Sequence, residues 1–173
     1  MSYLSRTQVS SSQGGRINTL SLWFKRQGLK SSGTQTLFEA RVDGNNMTSV
    51  IFNNDRLQWR TENSGSTTGD LITYREFRDS SAWYHLVIQT DTTQSTSSNR
   101  VKIYLNGSQI TSFGTETYPS QNLNTGFNST VAHNIGRSAN DGDRFLRGYL
   151  TEFNHIDGTA LTPSSFGYTE FQT

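Results

Sequence analysis

Apolar and polar residues alternate along much of this chain with a period of two, the pattern of strands with one buried face. From Ile17 to Arg26, Ile17, Leu20, Leu22 and Phe24 fall mostly on one face and Ser21, Trp23 and Lys25 on the other. Residues 83–90 repeat the pattern with Tyr84, Leu86 and Ile88 inward, and Val101, Ile103 and Leu105 face in on the next strand. Residues 36–42 form a further strand, closed by Asp43-Gly44-Asn45-Asn46. Val50-Ile51-Phe52 and Leu57-Gln58-Trp59-Arg60 flank Asn53-Asn54-Asp55-Arg56, which predicts a tight hairpin, and Asn106-Gly107 predicts a primed turn. Residues 131–136 and 146–156 supply the last two strands, and Pro163 opens one helical turn.

The remaining stretches lack this period. Residues 62–69 are rich in Ser, Thr and Gly and read as a loop, and residues 73–81 read as irregular with a helical turn near Glu76. Residues 91–99 form a polar loop, and residues 113–130 are long and aperiodic, an excursion that serves binding or packing. The expected fold is all-β, a two-sheet antiparallel jelly-roll sandwich. Residues 1–173 form one domain, with residues 1–16 as an edge strand or an N-terminal arm.

Composition narrows the class. Apolar residues make up only 31% of the chain, but aromatics reach 12%, so a thin core is built from large rings. Net charge is +1 with basic residues scattered, which excludes phosphate-driven nucleic-acid binding. The chain has no cysteine, hence no disulfide framework and no thiolate metal site. No apolar run reaches membrane-spanning length, and no secretion signal follows Met1.

Trp83-Tyr84-His85-Leu86-Val87, followed by Val101-Lys102-Ile103-Tyr104-Leu105-Asn106-Gly107, resembles the laminin-G-like branch of the concanavalin A-like lectin/glucanase superfamily. Ile135-Gly136, then Gly148-Tyr149-Leu150-Thr151-Glu152-Phe153 and Ala160-Leu161-Thr162, resembles its C-terminal hallmark, and residues 18–25 resemble its N-terminal strand. Tyr3-Leu4-Ser5-Arg6, residues 77–85, Ala132-His133-Asn134-Ile135-Gly136-Arg137, Ile156-Asp157-Gly158 and Pro163-Ser164-Ser165-Phe166-Gly167 are similar to such modules in tailed-phage and marine-virus structural proteins. This resemblance implies a non-enzymatic virion surface component, made in the host cytoplasm: a capsid decoration, knob or tail-associated protein. Its partners would be virion proteins and host-surface glycan. The alternatives are a stand-alone carbohydrate-binding lectin-like module and a glycoside hydrolase. Nothing in the sequence sets the oligomeric state.

Chemistry is sparse. The hydrolases of this superfamily carry Glu-x-Asp-x-x-Glu on one strand, and no segment here matches it; Glu39 stands alone. Glu152, between Leu150 and Phe153, is expected to be buried, hydrogen-bonded and structural. His85 and His133 are expected to be structural. No cofactor is expected beyond calcium, for which Asn140, Asp141 and Asp143 form the best cluster and residues 43–46 the second, both also ordinary turn compositions. Sugar binding needs an aromatic platform, and Trp23, Trp59, Tyr74, Trp83 and Tyr104 are candidates on outer faces. The three loops 62–69, 91–99 and 113–130 are candidate rims. In the last, Phe113, Tyr118 and Phe127 are candidate partner- or glycan-binding anchors.

Overall fold

The computed structural model describes residues 3–9, 15–29, 32–139 and 144–167. Two antiparallel sheets face each other. The larger contains β1 (Leu4–Thr7), β3 (Thr34–Arg41), β4 (Met47–Asn53), β5 (Arg56–Asn63), β6 (Ser66–Glu76), β10 (Phe113–Thr117) and β11 (Ala132–Ile135) in the order β1-β11-β3-β4-β5-β6-β10. The smaller contains β2 (Ile17–Arg26), β7 (Tyr84–Asp91), β8 (Val101–Leu105), β9 (Ser108–Ile110) and β12 (Gly148–Asp157) in the order β12-β2-β7-β8-β9. This is the expected jelly-roll sandwich, and among the described residues helix is confined to 3-10 turns such as Pro163–Ser165.

Period-two patterning builds the core. Leu20, Leu22 and Phe24 of β2 pair with Ile88, Leu86 and Tyr84 of β7, and Leu86 and Ile88 pair in turn with Leu105 and Ile103 of β8. Apolar residues of the larger sheet, Phe38, Val50, Phe52, Leu57, Trp59 and Leu71 among them, meet them in one cluster. Ile17 is half-buried outside it, because its odd position puts it on the face of Trp23.

Turn chemistry sets register. Asn54 and Asp55 (φ 48° and 64°) close β4 onto β5, and Asn106 and Gly107 (φ 49° and 81°) close β8 onto β9. Both are left-handed pairs, as a two-residue hairpin with right-handed strand twist requires.

Three segments depart from expectation. Residues 62–69 are a third hairpin: Ser64 and Gly65 (φ 50° and 76°) turn β5 into β6, with Asn63 opposite Ser66. Residues 73–76 continue β6 as strand, with no helical turn at Glu76. Residues 113–117 are strand β10, paired with β6. Residues 91–99 remain a loop, but Arg100 ties it down by donating to Gln94 O, Ser95 O and Pro119 O. β1 pairs with β11 at the end of the larger sheet, while residues 1–2 and 10–14 of the expected edge strand or N-terminal arm lie outside the described residues.

Candidate functional site

The outer face of the five-stranded sheet follows from the same alternation. With Leu22 and Phe24 inward, Ser21, Trp23 and Lys25 point outward. Trp23 lies opposite His85 on one side and Thr151 on the other, and Lys25 lies opposite Tyr149. The Trp23 and His85 rings stack at 4.9 Å and 17°. Trp83, one step before the paired residues Phe24 and Tyr84, brings its ring to 6.5 Å from Tyr149 at 45°. Trp83 is 42% exposed and Tyr149 52%. Two open rings thus stand beside Lys25, with Asp79 close enough to feel the lysine's charge.

A break in β12 adds a carboxylate to this face. The register with β2 shifts between Thr151 and Asn154, and Glu152 within the bulge has φ 50°, left-handed backbone that side chains other than glycine adopt at a cost. Glu152 is exposed and feels His85 electrostatically. The expectation of a buried, structural Glu152 is therefore overturned: the bulge lifts it out of the alternation. Glu39 is the carboxylate buried on a strand. It is 1% exposed and accepts from Arg41 Nε and Nη2, Ser138 Oγ and Ala139 N–H.

The other half of this face is covered. Thr19 Oγ1 donates to Thr159 O and accepts from Leu161 N–H, Gln89 Nε2 donates to Ala160 O, and Phe166 meets the His85 ring edge-on. Ser21 Oγ and His85 Nε2 share a hydrogen bond of 3.0 Å, but Ser21 is only 1% exposed. Burial lowers the His85 pKa, and Glu152 partly opposes this.

The expected site residues do not converge. Trp23 joins the aromatic patch, while Tyr104 is half-buried on β8, its pKa raised by burial. Trp59 is fully buried, because its position opposite Val50 faces the core, so it is no platform. Phe113 and Phe127 are also core residues, not loop anchors: β10 turns Phe113 inward, and Phe127 stacks on Phe38 at 4.8 Å. Tyr118 packs against the core edge and donates to Glu116, burial and that carboxylate pushing its pKa up to about 12. Tyr74 is exposed on β6, away from the patch. Tyr149 was legible in the outward phase of Gly148-Tyr149-Leu150 but was not among the expected platforms.

Asn140, Asp141 and Asp143 lie outside the described residues. In the second cluster, Asp43 accepts from Asn45 N–H and Asn46 Nδ2, ordinary turn bonds that lower its pKa. Among the described residues no three acidic or histidine side chains gather to hold a metal ion, and no helix is long and apolar enough to cross a membrane.

Residues 3–165 match the laminin-G-type profile of the concanavalin A-like lectin/glucanases superfamily. No curated protein matches the chain. Among solved structures, domain 4 of an extracellular GH43 arabinanase from Geobacillus stearothermophilus, in complex with arabinotriose, superposes with TM-score 0.60 at 25% identity, covering 90% of this chain and 65% of that one. This chain therefore spans just under two thirds of that structure. The CBM40 of the Ruminococcus gnavus IT-sialidase gives TM-score 0.59 at 11% identity, covering 94% and 95%. A structure described as a receptor binding domain gives TM-score 0.64 at 16% identity, covering 95% and 38%.

Proposed function

The chain belongs to the concanavalin A-like lectin/glucanase superfamily, and from that premise we propose that it is a non-enzymatic carbohydrate-binding module whose glycan rests on the Trp83–Tyr149 pair. The observation that carries this reading is the exposure of two neighbouring rings on a rigid sheet, beside Lys25, with Glu152 further along β12 near His85. Sugar C–H faces pack on such rings, while charged groups bond the hydroxyls. The likeness to an arabinanase domain seen with arabinotriose supports the same reading. A binding role fits the carboxylates too: Glu39 is committed to Arg41, and Ser21 beside His85 is sealed from substrate.

The finer reading places this module on a virion, as a capsid decoration, knob or tail-associated protein that meets host-surface glycan. Its support is the phage-like phrasing of residues 3–6, 77–85, 132–137, 156–158 and 163–167. Glycan-array binding by the wild type, Trp83→Ala and Tyr149→Ala tests the site: saturable signal lost in both variants is expected. Signal retained in both places the glycan elsewhere, and sugar release by the wild type makes the protein an enzyme. Stoichiometric copies in purified particles, counted by mass spectrometry, test the virion assignment separately.

A further inference from the structure

The sandwich is open along one edge. There β1, the outermost strand of the larger sheet, faces β12, the outermost strand of the smaller one. Between them lies a crevice of about 340 Å³, lined by Leu4, Arg6, Phe38, His133, Phe153 and His155 among others. Its size falls in the range of small-ligand sites.

Its walls are aromatic. Phe38 is the hub, with Phe153 edge-on at 5.1 Å and His155 edge-on at 5.0 Å. His133 lies 5.8 Å from Phe38 and 5.9 Å from His155. Rings at these spacings favour another planar ring, packed edge-to-face, over a flexible alkyl chain.

Its polar groups are not all used. His133 is satisfied at both nitrogens: Nδ1 bonds Val131 O at 2.8 Å, and Nε2 accepts from Asn128 N–H at 3.1 Å. This fixes the neutral tautomer with the proton on Nδ1. His155 differs: its Nε2 is buried and has no hydrogen-bond partner among the described residues. A buried nitrogen of this kind costs free energy unless something meets it. At the mouth, Arg6 is exposed, and among the described residues it makes no ion pair and is the one charged side chain in the lining.

We propose that this crevice is a binding site for a small aryl carboxylate, with its ring packed edge-to-face against the cluster of Phe38, Phe153 and His155 and its carboxylate held by Arg6 at the mouth. Arg6 supplies charge complementarity and a guanidinium fork suited to a carboxylate. The site is separate from the Trp83–Tyr149 face and does not depend on glycan binding there.

Phenylacetate serves as the probe and phenylacetamide as its uncharged isostere. The full chain is titrated with each while backbone and imidazole resonances are followed by NMR. Saturable shifts at Leu4, Ile135, Phe153 and the His155 ring are expected with phenylacetate. Affinity about tenfold weaker is expected for the amide, and for phenylacetate on Arg6→Gln, with recovery in Arg6→Lys, the loss that follows from removing one charge-assisted contact. Arg6 is exposed on a short edge strand, so Arg6→Gln leaves the core intact, and the unchanged spectrum of residues 84–105 checks this. Absence of saturable shifts in the crevice overturns the proposal. Equal affinity for acid and amide, or for Arg6→Gln and wild type, overturns it as well.

Discussion

Arg26 and Asp55 form an ion pair of 2.7 Å with only 1% of each side chain exposed. Arg26 ends β2, and Asp55 sits in the left-handed turn between β4 and β5, so the pair ties one sheet to the other. The guanidinium also donates to Phe77 O and lies 4.3 Å over the Phe52 ring. Asp55 reaches Arg78, which reaches Glu76, which reaches Arg56, leading the network out to the surface.

Asp55→Asn keeps the shape and the turn preference but leaves Arg26 charged and buried without its counterion. A loss of about 3–5 kcal/mol in urea unfolding is expected, the range for breaking a buried pair. The turn itself is not the cause, because Asn tolerates left-handed backbone. A loss under about 1 kcal/mol means that Phe77 O and the Phe52 face suffice for Arg26.

Leu86→Ala opens a cavity in the middle of the sandwich. Leu86 is fully buried between Leu22 of β2 and Leu105 of β8. The expected cost is about 2–5 kcal/mol, the range for large-to-small core substitutions. An effect far smaller contradicts the inward placement of β7.

Acid should weaken the fold through the crevice histidines. Burial lowers the pKa of both: His133 is held down with its bond to Val131 O partly opposing, and His155, beside His133, falls to about 4 with Asp157 partly opposing. In the unfolded chain a histidine titrates near 6.5, so between about 6.5 and 4 the unfolded state binds more protons. Stability is full above that window and falls as pH drops through it. His155→Phe keeps a ring against Phe38 and removes one of the titrating groups. Urea midpoints at pH 7 and pH 5 should differ less in this variant than in the wild type. Equal differences assign the acid sensitivity elsewhere.

The fold was readable wherever one face is apolar. β2, β7 and β8 alternate cleanly, and Asn106-Gly107 announces its turn. Residues 62–69 were not readable, because a hairpin whose side chains are Ser, Thr, Asn and Glu shows no hydrophobic period; only Ser64-Gly65 marks it. Trp59, Phe113 and Phe127 were misplaced for a related reason. An aromatic ring looks the same in sequence whether it faces core or solvent, and the strand phase that decides it was clear for Trp59 but hidden in the aperiodic stretch for the other two. Glu152 escaped because a bulge breaks the count between Leu150 and Phe153, and no residue there favours left-handed backbone.

Glu152 also offers a way to separate strain from charge. Its φ of 50° costs free energy for a side chain of this kind, more so for a β-branched one. Glycine takes that backbone freely. Glu152→Gly should therefore leave stability unchanged or raise it slightly, while Glu152→Val should cost about 1–2 kcal/mol in urea unfolding. Both variants remove the carboxylate near His85. If the carboxylate bonds the glycan, both lose affinity alike. If the bulge only shapes the face, Glu152→Gly binds as the wild type does, and Glu152→Val weakens binding by disturbing the register that sets Tyr149 opposite Lys25. Should Glu152→Val instead match Glu152→Gly in stability, the left-handed bulge at this position is wrong, and β12 runs straight past Leu22.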